Sequence, residues 1–124
     1  MKAGRVCIIL AGRRAGKKCV VIKANDEGAK KGRAYAHALV AGVERSPMRV
    51  HKKMSKKKMS RRSKVKPFVK YVNYNHILPT RFMVTGEFSQ AGQELKQVVT
   101  EDKLANPDTR KQLKQQIRDI FNDR

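Results

Sequence analysis

Acid is what this sequence has least of relative to base: ten Asp and Glu stand against thirty Lys and Arg, a formal charge of +20 on 124 residues. Internal carboxylates cannot neutralise that surplus, so it requires a polyanionic partner. The same scarcity leaves little for catalysis. Asp26 and Glu27 fall in a turn, and no His is spaced to form an acid and base pair with them. The chain therefore reads as non-catalytic, and a small nuclease is disfavoured.

Tryptophan is absent and cysteine is limited to Cys7 and Cys19. No second cysteine pair or histidine at ligand spacing accompanies them, which argues against zinc and for two small buried thiols. Long apolar runs are also missing. Val6 to Ala11 is shorter than the roughly 7 to 15 residues of a signal-peptide core, and nothing approaches the ~20 needed to span a bilayer. No amphipathic basic helix or hydrophobic anchor suits a membrane surface. We expect a cytosolic or nuclear chain with no membrane, metal, cofactor or small-molecule substrate. Its length suits one small core with an arm or terminal helix.

The positive charge that is present is unevenly placed. Residues 1 to 86 hold 23 of the 30 basic side chains and only Asp26, Glu27 and Glu44 as acids, whereas residues 87 to 124 hold seven of each sign. The densest stretch, Arg45 to Lys66, contains Arg45, Arg49, Lys52, Lys53, Lys56, Lys57, Lys58, Arg61, Arg62, Lys64 and Lys66 without one acid. Its self-repulsion predicts an extended basic arm. Met48, Val50, Met54, Met59 and Val65 are too irregularly spaced within it for a core-facing helix.

Strand signals surround this arm. Arg5 to Leu10 and Lys17 to Lys23 are β-branched and apolar, separated by Ala11-Gly12-Arg13-Arg14-Ala15-Gly16. Gly12 and Gly16 allow positive φ and close approach to a partner, while Arg13, Arg14, Lys17 and Lys18 point charge outward from that loop. Asn25-Asp26-Glu27-Gly28 is a turn. Tyr35 to Val43 suits a buried strand, although its alanines also permit a helix, and Gly42 fits a bend near a barrel corner. His37 reads as a satisfied core or rim histidine rather than a ligand. Lys66 to Asn75 alternates as a strand, His76 to Thr80 turns, and Arg81 to Thr85 offers a last short strand. Residues 87 to 105 are ambiguous. Asn106-Pro107-Asp108 then starts a helix over about 107–123, by a cap, a proline at the first helical position and an acid in the first turn. Leu113, Ile117, Ile120 and Phe121 form one apolar stripe on it. The stripe needs a surface, either the barrel or a neighbouring molecule, and the balanced charge of this third favours protein docking.

The unit from Gly4 to Val21 resembles a KOW motif, a component of SH3-like barrels in ribosomal and transcription proteins. Three later segments narrow the likeness: Tyr35 to Gly42, Lys56 to Lys66, and Phe68-Val69-Lys70-Tyr71-Val72-Asn73-Tyr74-Asn75-His76-Ile77-Leu78-Pro79-Thr80-Arg81. Together they resemble the 27e family of the eukaryotic cytosolic large ribosomal subunit. The likeness runs nearly unbroken from Met1 to about Val84 and weakens beyond, where family members continue into a longer basic and aromatic tail.

That resemblance implies a mostly β fold, an SH3-like (KOW-type) small β-barrel with a basic extended arm and a C-terminal α-helix. The barrel with arm 45–66 would occupy residues 1–86 and the extension residues 87–124. It implies a non-enzymatic structural constituent of the large subunit, supporting translation in the cytoplasm after assembly in the nucleus or nucleolus. Its partners would be large-subunit ribosomal RNA and neighbouring ribosomal proteins. A KOW-containing transcription or RNA-processing factor is the alternative. The expected RNA contacts are the loop cations Arg13, Arg14, Lys17 and Lys18, the arm from Arg49 to Lys66, and Lys70, Tyr71, Asn73, Asn75, His76 and Arg81. Aromatics stack on unpaired bases and amides reach base edges, while Lys and Arg meet phosphates. Tyr74 shares a side with Phe68 and Val72 and is expected in the core.

Overall fold

Five short β-prone runs pair into one antiparallel sheet in the computed structural model, which describes residues 1–28, 32–84, 99 and 104–122. The strands are β1 (Arg5–Ile9), β2 (Lys18–Asn25), β3 (His37–Arg45), β4 (Lys66–Asn73) and β5 (Ile77–Met83), in the spatial order β4-β3-β2-β1-β5. The outermost strands β4 and β5 are consecutive in the chain, joined by a 3-10 turn, Tyr74–His76. The sheet must therefore curl until its two edges approach. Register shifts at Arg5/Cys7, Val21/Lys23 and Val43/Arg45 supply the bends. The result is a mostly β, SH3-like (KOW-type) small barrel, not closed by pairing between β4 and β5 among the described residues.

Alternation along β3 explains why its sequence is apolar without a break. Ala38 and Val40 face the barrel interior with Cys7, Ile9, Cys19, Val21, Phe68, Val72 and Ile77. Leu39 and Ala41 face outward into a second cluster with Ile22, Val99, Leu113 and Ile117. A strand buried on both faces has no polar side to show. That resolves the strand-or-helix ambiguity of Tyr35 to Val43 in favour of the strand. Gly42 lies opposite Cys19 and Phe68, and a Cβ there would come within 2.5 Å of the Lys18 carbonyl oxygen and 2.6 Å of the Phe68 ring. Close packing of strand and ring is what demands glycine at this site.

The second cluster is the seat of α2 (Pro107–Asn122), counting α1 (Lys56–Ser63) as the first helix. Leu113 and Ile117 are buried to within 1 % of full enclosure, and Ile120 and Phe121 pack against the same cluster. This corrects the docking role expected of the stripe. The barrel's own outer face is apolar because β3 is doubly buried, and α2 is what covers it. Ambiguous residues 87–105 lie outside the described residues except Val99, Leu104 and Ala105; the first two belong to this cluster.

Two further differences have local causes. The turn expected at His76 to Thr80 sits at Tyr74–His76 instead, and β5 starts at Ile77 and carries Pro79 inside it. Proline is tolerated because β5 is an edge strand. Within the arm expected to be extended, Lys56–Ser63 is helical, its start capped by the Ser55 hydroxyl, which accepts from the Lys58 N–H. Arg62 ties the arm to itself: its carbonyl accepts from Met48 N–H, and its Nε donates to the Arg49 carbonyl at 2.9 Å.

Candidate nucleic-acid interface

The β1–β2 loop is a tight basic turn. Gly12 and Gly16 both adopt positive φ, 82° and 75°, and the loop is locked by Ala15 N–H to Gly12 O and Gly16 N–H to Ile9 O. Arg13 projects into solvent from it. Lys70, on edge strand β4, reaches across so that a Cβ on Gly12 would lie 3.8 Å from its Nζ. The 3-10 turn borders the same region, since Leu10 N–H donates to the His76 carbonyl at 2.9 Å. The fold thus brings together Arg13, Lys70 and the turn bearing Asn75 and His76, from three separate parts of the sequence.

Arg14 and Lys66 are placed differently from their loop and arm neighbours. Arg14 pairs with Glu44 and lies over the Phe68 ring, 5.2 Å from its centroid, and Lys66 Nζ is 3.3 Å from the other Glu44 oxygen. Desolvation by itself would raise the Glu44 carboxyl. The hydrogen bonds from Arg14 and Lys66 and their charges together outweigh it and hold the group below its ordinary value of 4.5. Arg14 is therefore a structural tie between loop and strand. Lys17 and Lys18 open toward a different concavity, beside Val20 and Phe121.

A groove of about 680 Å3 runs between β4 and α2. Arg13, Arg33, Lys70, Arg110 and Lys114 line it along with Tyr71, and no carboxylate lines it among the described residues. Tyr71 is partly enclosed: the Arg33 guanidinium covers its ring at 4.3 Å, and the His37 ring meets it edge-on at 5.7 Å. His37 is itself buried and satisfied, Nε2 accepting from Asn25 Nδ2 and Nδ1 donating to Tyr35 O, each at 2.8 Å. Asn73 spends its Oδ1 on the Asn75 N–H, capping the 3-10 turn. Tyr74 packs on the interior core, as expected, and donates its hydroxyl to Asp26. Sequence reasoning did not single out Arg33, Arg110 or Lys114, because their shared groove exists only once α2 is docked.

The arm forms its own cationic face. Arg49, Lys52, Lys53, Lys56, Lys57, Lys58, Arg61 and Lys64 are exposed, and a concavity of about 450 Å3 is lined by Arg45, Lys57, Lys58, Arg61 and Arg62 with Met48. Among the described residues no cation from Arg49 to Lys64 has a carboxylate partner. Arg81 is exposed on β5, its guanidinium over Phe82 at 5.3 Å. No group of His, Cys, Asp and Glu among the described residues could hold a metal ion.

Fold and surface define a small KOW-type barrel whose concave faces are cationic and in which Asp26 and Glu44 are already paired. The chain belongs to the Ribosomal L27e protein family, whose model matches residues 6–124. It is 44 % identical to the large ribosomal subunit protein eL27 of Candida albicans over 124 residues, all of this chain and 86 % of that one. The eL27B protein of Saccharomyces cerevisiae is also 44 % identical over the same shares, and the eL27 protein of Tetrahymena thermophila is 46 % identical over 98 % of this chain and 79 % of its own. The match continues to residue 124, through the third in which the likeness of the sequence segments weakens. The chain is a ribosomal protein and not an enzyme.

Proposed function

We propose that the chain, a structural constituent of the large subunit of the cytosolic ribosome, is held there by ribosomal RNA bound to the barrel's basic loop, the β4 edge and the arm. The observation that carries this reading is the arm itself: eleven cations from Arg45 to Lys66 with no acid among them, and Glu44 engaging only Lys66 of these. Such charges meet phosphates and release condensed counterions. Between RNA helices that repel one another, a basic arm neutralises backbone and fits shape without needing a base code.

Residues 1–86 then form the RNA-binding unit and residues 87–124 an extension whose helix α2 covers the barrel. Neighbouring large-subunit proteins would meet the surfaces that α2 leaves outward, and assembly would take place in the nucleus or nucleolus. The test is residue-level crosslinking in intact large subunits after a high-salt wash. RNA crosslinks at Arg13, Lys70 and the arm are expected. Loss of the protein in the wash, or crosslinks confined to β5, would reject the reading.

A further inference from the structure

In sequence, the C-terminal third is neutral enough to be left out of RNA binding; folded, the charges of α2 separate by face. Arg110, Lys114 and Arg118 recur every four residues and so form one line, with about 6 Å of rise between successive members. The groove between β4 and α2 continues into a second one of about 490 Å3, lined by Lys66, Lys111, Gln115 and Arg118 and by Glu44, whose charge Arg14 and Lys66 offset, and the two share Arg13, Arg14 and Lys114. The acids of α2 line neither groove but pair with cations of the second one, Asp108 with Lys111 at 3.8 Å and Asp119 with Arg118 at 3.5 Å, so that Arg110 and Lys114 are the members of the line without a carboxylate partner among the described residues. Arg110 is held in place by donating Nε to the Leu104 carbonyl at 3.0 Å.

We infer that α2 supplies one wall of a continuous RNA track, with the β1–β2 loop and the β4 edge as the other, and that the track takes an unpaired RNA strand. This rests on the reading that the chain binds RNA, and extends it to a site the neutral C-terminal third did not suggest. Length and charge alone would also suit an acidic peptide. The floor decides between them. Arg33, exposed and seated over Tyr71 at 4.3 Å, offers a guanidinium backed by an aromatic ring, and an unpaired base stacks on such a plane whereas an acidic side chain has no use for the ring. Phosphates flanking that base would meet Lys70 and Arg13 on one side and Arg110 and Lys114 on the other.

The experiment uses the full chain and a labelled, unstructured RNA oligonucleotide of roughly ten nucleotides, titrated across salt. Replacing Arg110→Gln together with Lys114→Gln should make the slope of log K against log salt shallower by about 1 to 1.5, two phosphates at the single-strand coefficient. Because Arg110 also braces Leu104, Lys114→Gln alone is the second variant, with an expected change of about 0.7. Arg33→Lys keeps the charge but removes the plane, and should weaken binding about fivefold or more. Parent slopes in both helix variants overturn the track. If an arm variant, Lys57→Gln with Lys58→Gln, still loses slope in that case, RNA binding stands and only the track fails; if it does not, RNA binding fails as well. A polyglutamate peptide that displaces the oligonucleotide at equal charge concentration would also overturn the proposal.

Discussion

Arg14 and Glu44 form an ion pair that fastens the β1–β2 loop to the end of β3, with the guanidinium lying over the Phe68 ring. One of the four loop cations is thereby committed to the fold, and the neighbouring Arg13 is left facing the groove. Adjacent residues of the same type thus have different work. Arg14→Gln should cost roughly 1–3 kcal/mol of stability, since a charge-assisted contact is lost and Glu44 is left with Lys66 alone. Arg13→Gln should leave the thermal midpoint unchanged and make the salt slope of RNA binding shallower by about 1. Thermal melts and salt titrations of the two variants check this directly.

Acidification should loosen the same tie. The Glu44 carboxyl is depressed in the folded chain, and so is that of Asp26, which accepts from the N-terminal ammonium of Met1 at 2.8 Å and from the Tyr74 hydroxyl. A depressed carboxyl contributes stability that is fully present above its unfolded value and is lost as pH falls through its folded value. Stability should therefore decline below about pH 4.5, the ordinary glutamate value. Glu44→Gln should be less stable than the parent at pH 7 and show a flatter decline. Denaturant melts between pH 7 and pH 3 would contradict this if the two curves ran parallel.

The helix stripe offers a sharp contrast between packing and docking. Leu113→Ala should destabilise the isolated chain by roughly 2–5 kcal/mol, the range for emptying a buried leucine site. A stripe kept for a partner would give no such loss in the free protein. Gly42→Ala should cost about 1–3 kcal/mol or more through its clash with the Lys18 carbonyl and the Phe68 ring. Chemical denaturation with a folded parent as control measures both.

Cys7 and Cys19 face each other across β1 and β2 as free buried thiols. Burial pushes both upward, Cys19 to about 12 with a further push from Cys7. Neither should react with a thiol reagent at pH 8 in the native chain, and both should react once it is unfolded. Rapid labelling of the native protein would show that the barrel opens more readily than its core suggests.

The legible parts of this fold were those with a local physical signature. The positive-φ loop glycines Gly12 and Gly16, the β-branched runs and the Asn106-Pro107-Asp108 helix start each carry their cause within a few residues, and each fell where the sequence placed it. What escaped needed contacts across the chain. Leu113 and Ile117 announce an apolar face but not what covers it, because the doubly buried β3 that receives them has no marker separating its two faces. α1 escaped because its residues bury nothing, leaving Ser55 as its sole local cue. The groove was the least readable: Arg33, Tyr71, Lys70, Arg110 and Lys114 come from three segments and share only the space between β4 and α2.

α1 also has a dynamic consequence. It is eight residues long, buries none of them, and places like charges four apart, Lys57 with Arg61 and Lys58 with Arg62. Such pairs destabilise an isolated helix, so phosphate should be what holds it. Amides of residues 56–63 should exchange rapidly in the free protein and slow down in the presence of RNA. Slow exchange without RNA would show that the helix stands unaided.

The salt dependence of RNA affinity bears most directly on the central claim that the cations of loop, groove and arm meet phosphate. With about six phosphates neutralised, log K should fall against log salt with a slope of roughly −4 to −5 for the full chain. An affinity that hardly changes with salt would contradict the claim.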